Sequence, residues 1–243
     1  MSQLVKAFFI SRKDIESYYG KPPLITWAIL FPAVLLLAIY VKDPATYLNV
    51  APGIVAMTLL FGNTSMAAIV VTFEKRSGTL QRLLSTPVTH RTIVLGKAAS
   101  AAAYGITTSL IITTGLVLFL DMSVPNPFVF GAGLFLGAGT FSFFGLIASV
   151  MVREVFEAMT LMNFLRFPLL FISGVFMPIE TLPVWVKPLA LVSPLTYVVE
   201  LLRFGISGQS YFSSLWVCAI VALGFLSVSW WIAGPVFRRS ANR

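Results

Sequence analysis

The stretch Phe73-Glu-Lys-Arg-Ser-Gly-Thr-Leu-Gln-Arg-Leu-Leu-Ser-Thr-Pro-Val88 is a short polar island between two long apolar runs. Ser77, Gly78 and Thr79 predict a turn and a helix N-cap, where a side-chain oxygen accepts from backbone N–H groups that have no other partner. Leu80, Leu83 and Leu84 follow at i, i+3 and i+4, which gives a two-turn helix one apolar stripe. Gln81, Arg82 and Ser85 point elsewhere. Pro87 stops the helix, and Thr86 before it is pushed out of the α region. The element is expected over residues 77–87. A helix this short does not hold itself together in water, so it lies against a membrane, its own bundle or another protein.

The runs on either side of the island set the class. The chain has 243 residues, 58% hydrophobic and 11% charged, with a mean hydropathy of +0.90. Soluble domains carry about 25% charged residues. The composition is that of an integral membrane protein. One membrane domain is expected over residues 1–243, because no polar segment is long enough for a second globular unit. Cys218 is the single cysteine, which excludes disulfides and cysteine-based metal sites within one chain. No cleavable signal is read, because the first 23 residues lack a continuous apolar core and a small-residue cleavage site.

Outward from the island, six spans are expected near 24–41, 52–73, 94–120, 128–152, 156–176 and 215–237. Each approaches the roughly 20 helical residues that cross a hydrocarbon core of about 30 Å. The first is the shortest and contains Pro32. The fourth carries a Gly133-x-x-x-Gly137 pair, a spacing that lets helices approach closely. Before the first span, residues 1–21 mix Leu4, Phe8, Ile15 and Tyr19 with Lys6, Arg12, Lys13 and Lys21. They read as an amphipathic interfacial helix with basic residues near lipid phosphates, a solvated tail being the alternative.

The net charge of +8 is read through placement rather than as a nucleic-acid signal. Thirteen of the 17 Lys and Arg fall on the side that holds both termini and the island; Lys42, Lys187 and Arg203 fall opposite, and Arg166 lies within a span. By the positive-inside rule both termini and the island are cytoplasmic. The last external connection, 177–214, is rich in apolar residues and broken by Pro178, Pro183, Pro188 and Pro194 into pieces too short to span. A re-entrant helical hairpin is expected there. A seventh span would place Arg238, Arg239 and Arg243 outside, against the charge count.

The island is followed downstream by Ser173-Gly-Val-Phe-Met-Pro178, Leu182-Pro183-x-Trp185, Ser193-Pro-Leu-Thr-Tyr197 and Glu200-x-x-Arg203. In this order and placement the chain resembles the type-2 membrane-spanning subunits of ABC transporters, closest to drug-resistance and nodulation-factor export permeases. The resemblance covers nearly the whole chain. It implies an all-α permease of six spans in the cell (inner) membrane, paired with itself or with a similar permease. It also implies two copies of a separate ATP-binding subunit that bind ATP and Mg, with no cofactor in this chain. The region Glu74, Gly78, Thr79, Leu80, Arg82, Leu83, Leu84 and Pro87 would then be the coupling helix that rests in a groove of the ATPase. The chain has no Gly-x-x-x-x-Gly-Lys-Ser/Thr loop of its own, and Gly96-Lys97 is only a fragment of one.

Individual charges carry narrower expectations. Glu74 is expected to pair with Arg82 or Arg91 and fix the coupling helix, or else to be a solvated interfacial charge. The three leucines would be the knob for the ATPase, with Arg82 meeting its acidic groups; if they face lipid instead, Arg82, Thr86 and His90 carry the interface. Arg166 in mid-span costs about 2.5–3.5 kcal/mol on insertion scales, so it faces the bundle interior or water. With Asn163, one turn earlier, it either lines the substrate path or makes an interhelical hydrogen bond near the Pro168 kink. Glu154 and Glu157 are expected to cap the turn after the fourth span, and Glu200 to pair with Arg203 at i+3. His90 has no second histidine to complete a metal site. Trp185, Trp230 and Trp231 suit interfacial anchoring.

The reading is an ATP-driven export permease for an amphipathic or hydrophobic molecule such as a drug, lipid or glycolipid. It is not an enzyme and binds membrane lipid but no nucleic acid. The alternative is a gradient-driven carrier, against which stands the lack of any Asp or Glu in the middle of a span. An intramembrane enzyme would need a nucleophile with a base, or a metal-ligand set, that this composition does not supply.

Overall fold

The computed structural model describes residues 2–43, 47–210 and 213–241. Its elements are all helical, with no strand among the described residues. In order they are α1 (Gln3–Tyr18), α2 (Pro22–Ile25), a π-helical turn (Thr26–Leu30), α3 (Phe31–Lys42), α4 (Tyr47–Arg76), α5 (Thr79–Leu84), α6 (His90–Leu120) and α7 (Pro127–Met151). They continue with α8 (Val155–Ile172), a 3-10 turn (Ile179–Thr181), α9 (Lys187–Val192), α10 (Pro194–Ser207) and α11 (Leu215–Ala241).

Among the described residues five helices are long and apolar enough to cross a membrane: Tyr47–Arg76, His90–Leu120, Pro127–Met151, Val155–Ile172 and Leu215–Phe237. The expected first span is represented by a shorter apolar helix, Thr26–Lys42. Its π turn accommodates Pro32, which has no N–H to donate: Phe31 N–H reaches back to the Thr26 carbonyl, and the proline stands at the start of α3. The fifth span closes at Ile172, short of the expected 176, because Gly174 takes a positive φ of 76°.

Caps fix the other boundaries. Ser2 accepts from Val5 N–H at the start of α1 (3.4 Å), and Thr89 from Thr92 N–H at the start of α6 (3.3 Å). Pro127 and Pro194 open α7 and α10, where a missing N–H costs nothing. At the α7–α8 turn Glu154 and Glu157 form a reciprocal capping box, as the sequence predicts.

α4 is the axis of the bundle. Its most apolar window is 94% buried, against 17% for α11 and 22% for α8. α6, α7, α8 and α10 surround it. The Gly133/Gly137 pair does the packing work expected of it: a β-carbon at Gly133 would lie 3.0 Å from Leu201, and one at Gly137 2.7 Å from Leu59 and 2.8 Å from Val198. Among its described residues the region 177–214 holds the 3-10 turn, the six-residue α9 and the fourteen-residue α10. At about 21 Å, α10 is shorter than a hydrocarbon core. Tyr211 and Phe212 lie outside the described residues.

Candidate functional site

The polar island forms α5, but over Thr79–Leu84 rather than 77–87. The turn is made by Gly78 at φ +73°, a conformation only glycine adopts without strain. The expected side-chain cap is absent: Ser77 and Thr79 share a hydrogen bond between their hydroxyls (3.0 Å) instead. At the far end Ser85 and Thr86 donate back to the carbonyls of Gln81 (3.0 Å) and Leu83 (2.6 Å), and these bonds with Pro87 end the helix early.

The leucine stripe faces inward. Leu80 is buried, and half-buried Leu83 and Leu84 pack on the apolar cluster containing Ile10, Val71, Ile93 and Val94. Leu80 is thus packed into the bundle, while Leu83 and Leu84 pack on it and keep part of their surface exposed. The exposed residues of α5 and of the turn that follows it are Thr79, Gln81, Arg82, Ser85, Thr86 and Pro87. His90 is the half-buried first residue of α6.

Glu74, one turn before α5, is fully buried and pairs with neither Arg82 nor Arg91. It meets Lys13 of α1 and Lys97 of α6. Lys97 also bonds Asp14 at 2.8 Å, Lys13 approaches Asp14 at 3.0 Å, and Ser100 donates to Asp14 at 3.3 Å. Asp14, Glu74 and Lys97 are essentially without solvent contact, while the Lys13 side chain is 44% exposed. Each carboxylate thus faces both ammonium groups. Partial burial opposes the charge on Lys13, but its hydrogen bond to Glu74 and the nearby charges of Asp14 and Glu74 outweigh this and raise its pKa above the ordinary lysine value.

Sequence reading missed half of this cluster. Asp14 lies one turn after Ile10 on the buried stripe of α1, and Lys97 one turn after Ile93 and Val94 on the buried stripe of α6. An ionisable residue on an apolar stripe was the available signal. The same geometry gives the basic residues of α1 partners within the chain. Of its basic residues, Lys6 donates to the Pro87 carbonyl (2.9 Å), Arg12 pairs with Glu16 (2.7 Å) and Lys13 turns inward. Leu4 and Phe8 remain exposed.

Higher in the bundle, Arg166 is buried and makes three bonds to neutral groups: Thr64 at 2.7 Å, Ser65 at 2.9 Å and Asn163 at 3.3 Å. Its guanidinium also lies over the Phe61 ring, 4.7 Å from the centroid. The bonds to Thr64 and Ser65 join α8 to α4, and the bond to Asn163 lies within α8. Arg166 also lines a cavity of about 230 Å³ together with Leu60, Thr64, Phe144, Met162 and Leu165 among others.

At the opposite end of the bundle from α5, Glu200 pairs with Arg203 at 2.6 Å as predicted, and Arg203 continues to the Gly174 carbonyl at 2.8 Å. Tyr197 bonds the Leu191 carbonyl (2.8 Å), and Ser173 and Ser193 bond each other (2.6 Å). Pro178 precedes the 3-10 turn, Pro183 follows it and Pro194 starts α10. Trp185 and Trp231 are exposed, whereas Trp230 packs on Phe143 with ring centroids 5.4 Å apart.

A family model described as ABC-2 type transporter matches residues 5–207. The chain belongs to this family. Among its relatives is a Cyanophora paradoxa protein that bears the name of a transport permease, ycf38, 28% identical over 93% of this chain and 79% of its own. Another is "Inner membrane transport permease YadH" of Escherichia coli (strain K12), 22% identical over 86% of this chain and 84% of its own. "Probable multidrug ABC transporter permease YbhR" of the same strain is 23% identical over 63% of this chain and 42% of its own. With its apolar helices, this ABC-2 chain is a multi-pass membrane protein, a transport permease of a family that pairs with ABC ATP-binding subunits.

Proposed function

We propose that this chain is the membrane half of an ATP-driven exporter and that α5 is its coupling helix. The observation that carries the reading is the division of α5 into two faces. The leucine stripe seats it on the bundle, and Gln81, Arg82, Ser85 and Thr86 are left outward for a partner. The end of the bundle carrying α5 is the cytoplasmic one, on the Lys and Arg asymmetry, and both termini lie there. Two ATP-binding subunits hold ATP and Mg and close on nucleotide binding. They push α5, and the bundle of this permease and its twin (or a similar permease) switches as rigid bodies between inward-facing and outward-facing states. Arg82 meets acidic groups on the ATPase. The cargo is an amphipathic or hydrophobic molecule, and the α9–α10 hairpin is the external lid.

Purification from native membranes in mild detergent, followed by mass spectrometry and an ATPase assay, tests this. An ATP-binding subunit at equal stoichiometry, lost with Arg82→Glu combined with Thr86→Glu, is the expected result. A homogeneous preparation without any nucleotide-binding partner would overturn it and favour a gradient-driven carrier.

A further inference from the structure

Glu74 and Lys97 flank α5 in the chain, at the end of α4 and two turns into α6. Because they pair directly, the segment 75–96 that carries α5 is closed at its root by a buried ion pair. α1 grips this segment twice. Lys13 and Asp14 join the root, and the first turns of α1 hold the chain just beyond α5, through Lys6 on the Pro87 carbonyl and Thr92 donating to Gln3 (2.8 Å).

Four ionisable groups are a poor way to add stability alone, since apolar residues of similar volume often do as well or better at buried ion pairs. Fixed geometry is what charges add here. Two carboxylates each shared between two ammonium groups tolerate little sliding of α1, α4 or α6, because a broken bond leaves a charge stranded at low dielectric. The four formal charges cancel one another.

We infer that Lys13, Asp14, Glu74 and Lys97 are positioning residues that lock α1 to the root of α5, so that the N-terminal helix and α5 move as one body. The inference rests on the coupling role proposed above for the direction of the force, but the lock itself exists without nucleotide.

The test is a distance measurement by pulsed dipolar spectroscopy on the full-length permease in detergent, with spin labels at Glu16→Cys on α1 and Gln81→Cys on α5 in a Cys218→Ser background. One narrow distance distribution is expected without nucleotide, and the same one after trapping with ATP and vanadate in the presence of the ATP-binding subunit. In the triple variant Asp14→Leu, Glu74→Leu, Lys97→Met, which removes the buried charges together, the distribution should broaden or split while helix content is retained. A triple variant as narrow as the parent would show that apolar packing alone sets the geometry, and the inference would fall. Should the triple variant not fold, Lys13→Met decides in the same assay: broadening supports the lock, an unchanged distribution overturns it. If the parent lacks an ATP-binding partner, the coupling reading fails separately, and the nucleotide-free distances still judge the lock.

Discussion

Two buried charge sites in this chain follow opposite rules. At the α5 end, two lysines and two carboxylates from three helices cancel one another. In mid-bundle, Arg166 stands on neutral partners, and no carboxylate among the described residues pairs with it. The difference lies in what remains after a deletion. Removing Lys97 from the first site strands two carboxylates on the single half-exposed Lys13. Removing Arg166 takes away the site's only charge and leaves hydroxyls that can bond their own helix, as Thr64 already does to the Leu60 carbonyl.

The comparison predicts a graded series. Lys97→Met should have the largest effect, a loss of about 3–5 kcal/mol, the usual result of breaking a buried pair from one side. It would be read as a fall in the unfolding midpoint in detergent, and Asp14→Leu with Glu74→Leu added should recover most of it. Glu200→Leu should come next at about 3 kcal/mol, softened because Arg203 keeps the Gly174 carbonyl. Arg166→Met should cost about 1–2 kcal/mol, the scale of a few hydrogen bonds offset by relief of a buried charge. If Arg166→Met were as damaging as Lys97→Met, the contrast between the sites would fail.

The smallest effect is at the α7–α8 turn, where the backbone N–H groups of Arg153 and Glu154 donate to Glu157 (3.0 and 3.4 Å) and complete the capping box. Glu157→Ala, which leaves both N–H groups without their acceptor, should lower the unfolding midpoint by less than Arg166→Met does, and Glu157→Gln, which keeps an acceptor oxygen, should stay closer to the parent.

What was legible in the sequence was local. The apolar runs, the leucine spacing of α5, the Gly133/Gly137 pair, the Glu154/Glu157 cap and the Glu200–Arg203 pair each depend on residues within a few turns of one another. The Asp14–Lys97 and Lys13–Glu74 bonds span 83 and 61 residues, and no period in the sequence announces them. The facing of α5 was hidden for the same reason. An amphipathic stripe states that one side is buried, not whether bundle or partner buries it, and Ile10, Ile93 and Val94 had first to be brought under it.

The most direct test of the account is cysteine cross-linking from α5 to the ATP-binding subunit in native membranes. Single cysteines at Gln81, Ser85 and, on the other face, Leu83 would be compared in a Cys218→Ser background, with a short bifunctional thiol–amine reagent. The account predicts a permease–ATPase product from Gln81→Cys and Ser85→Cys and none from Leu83→Cys. A product from Leu83→Cys alone, or none from any position in a preparation that contains the ATPase, would contradict it.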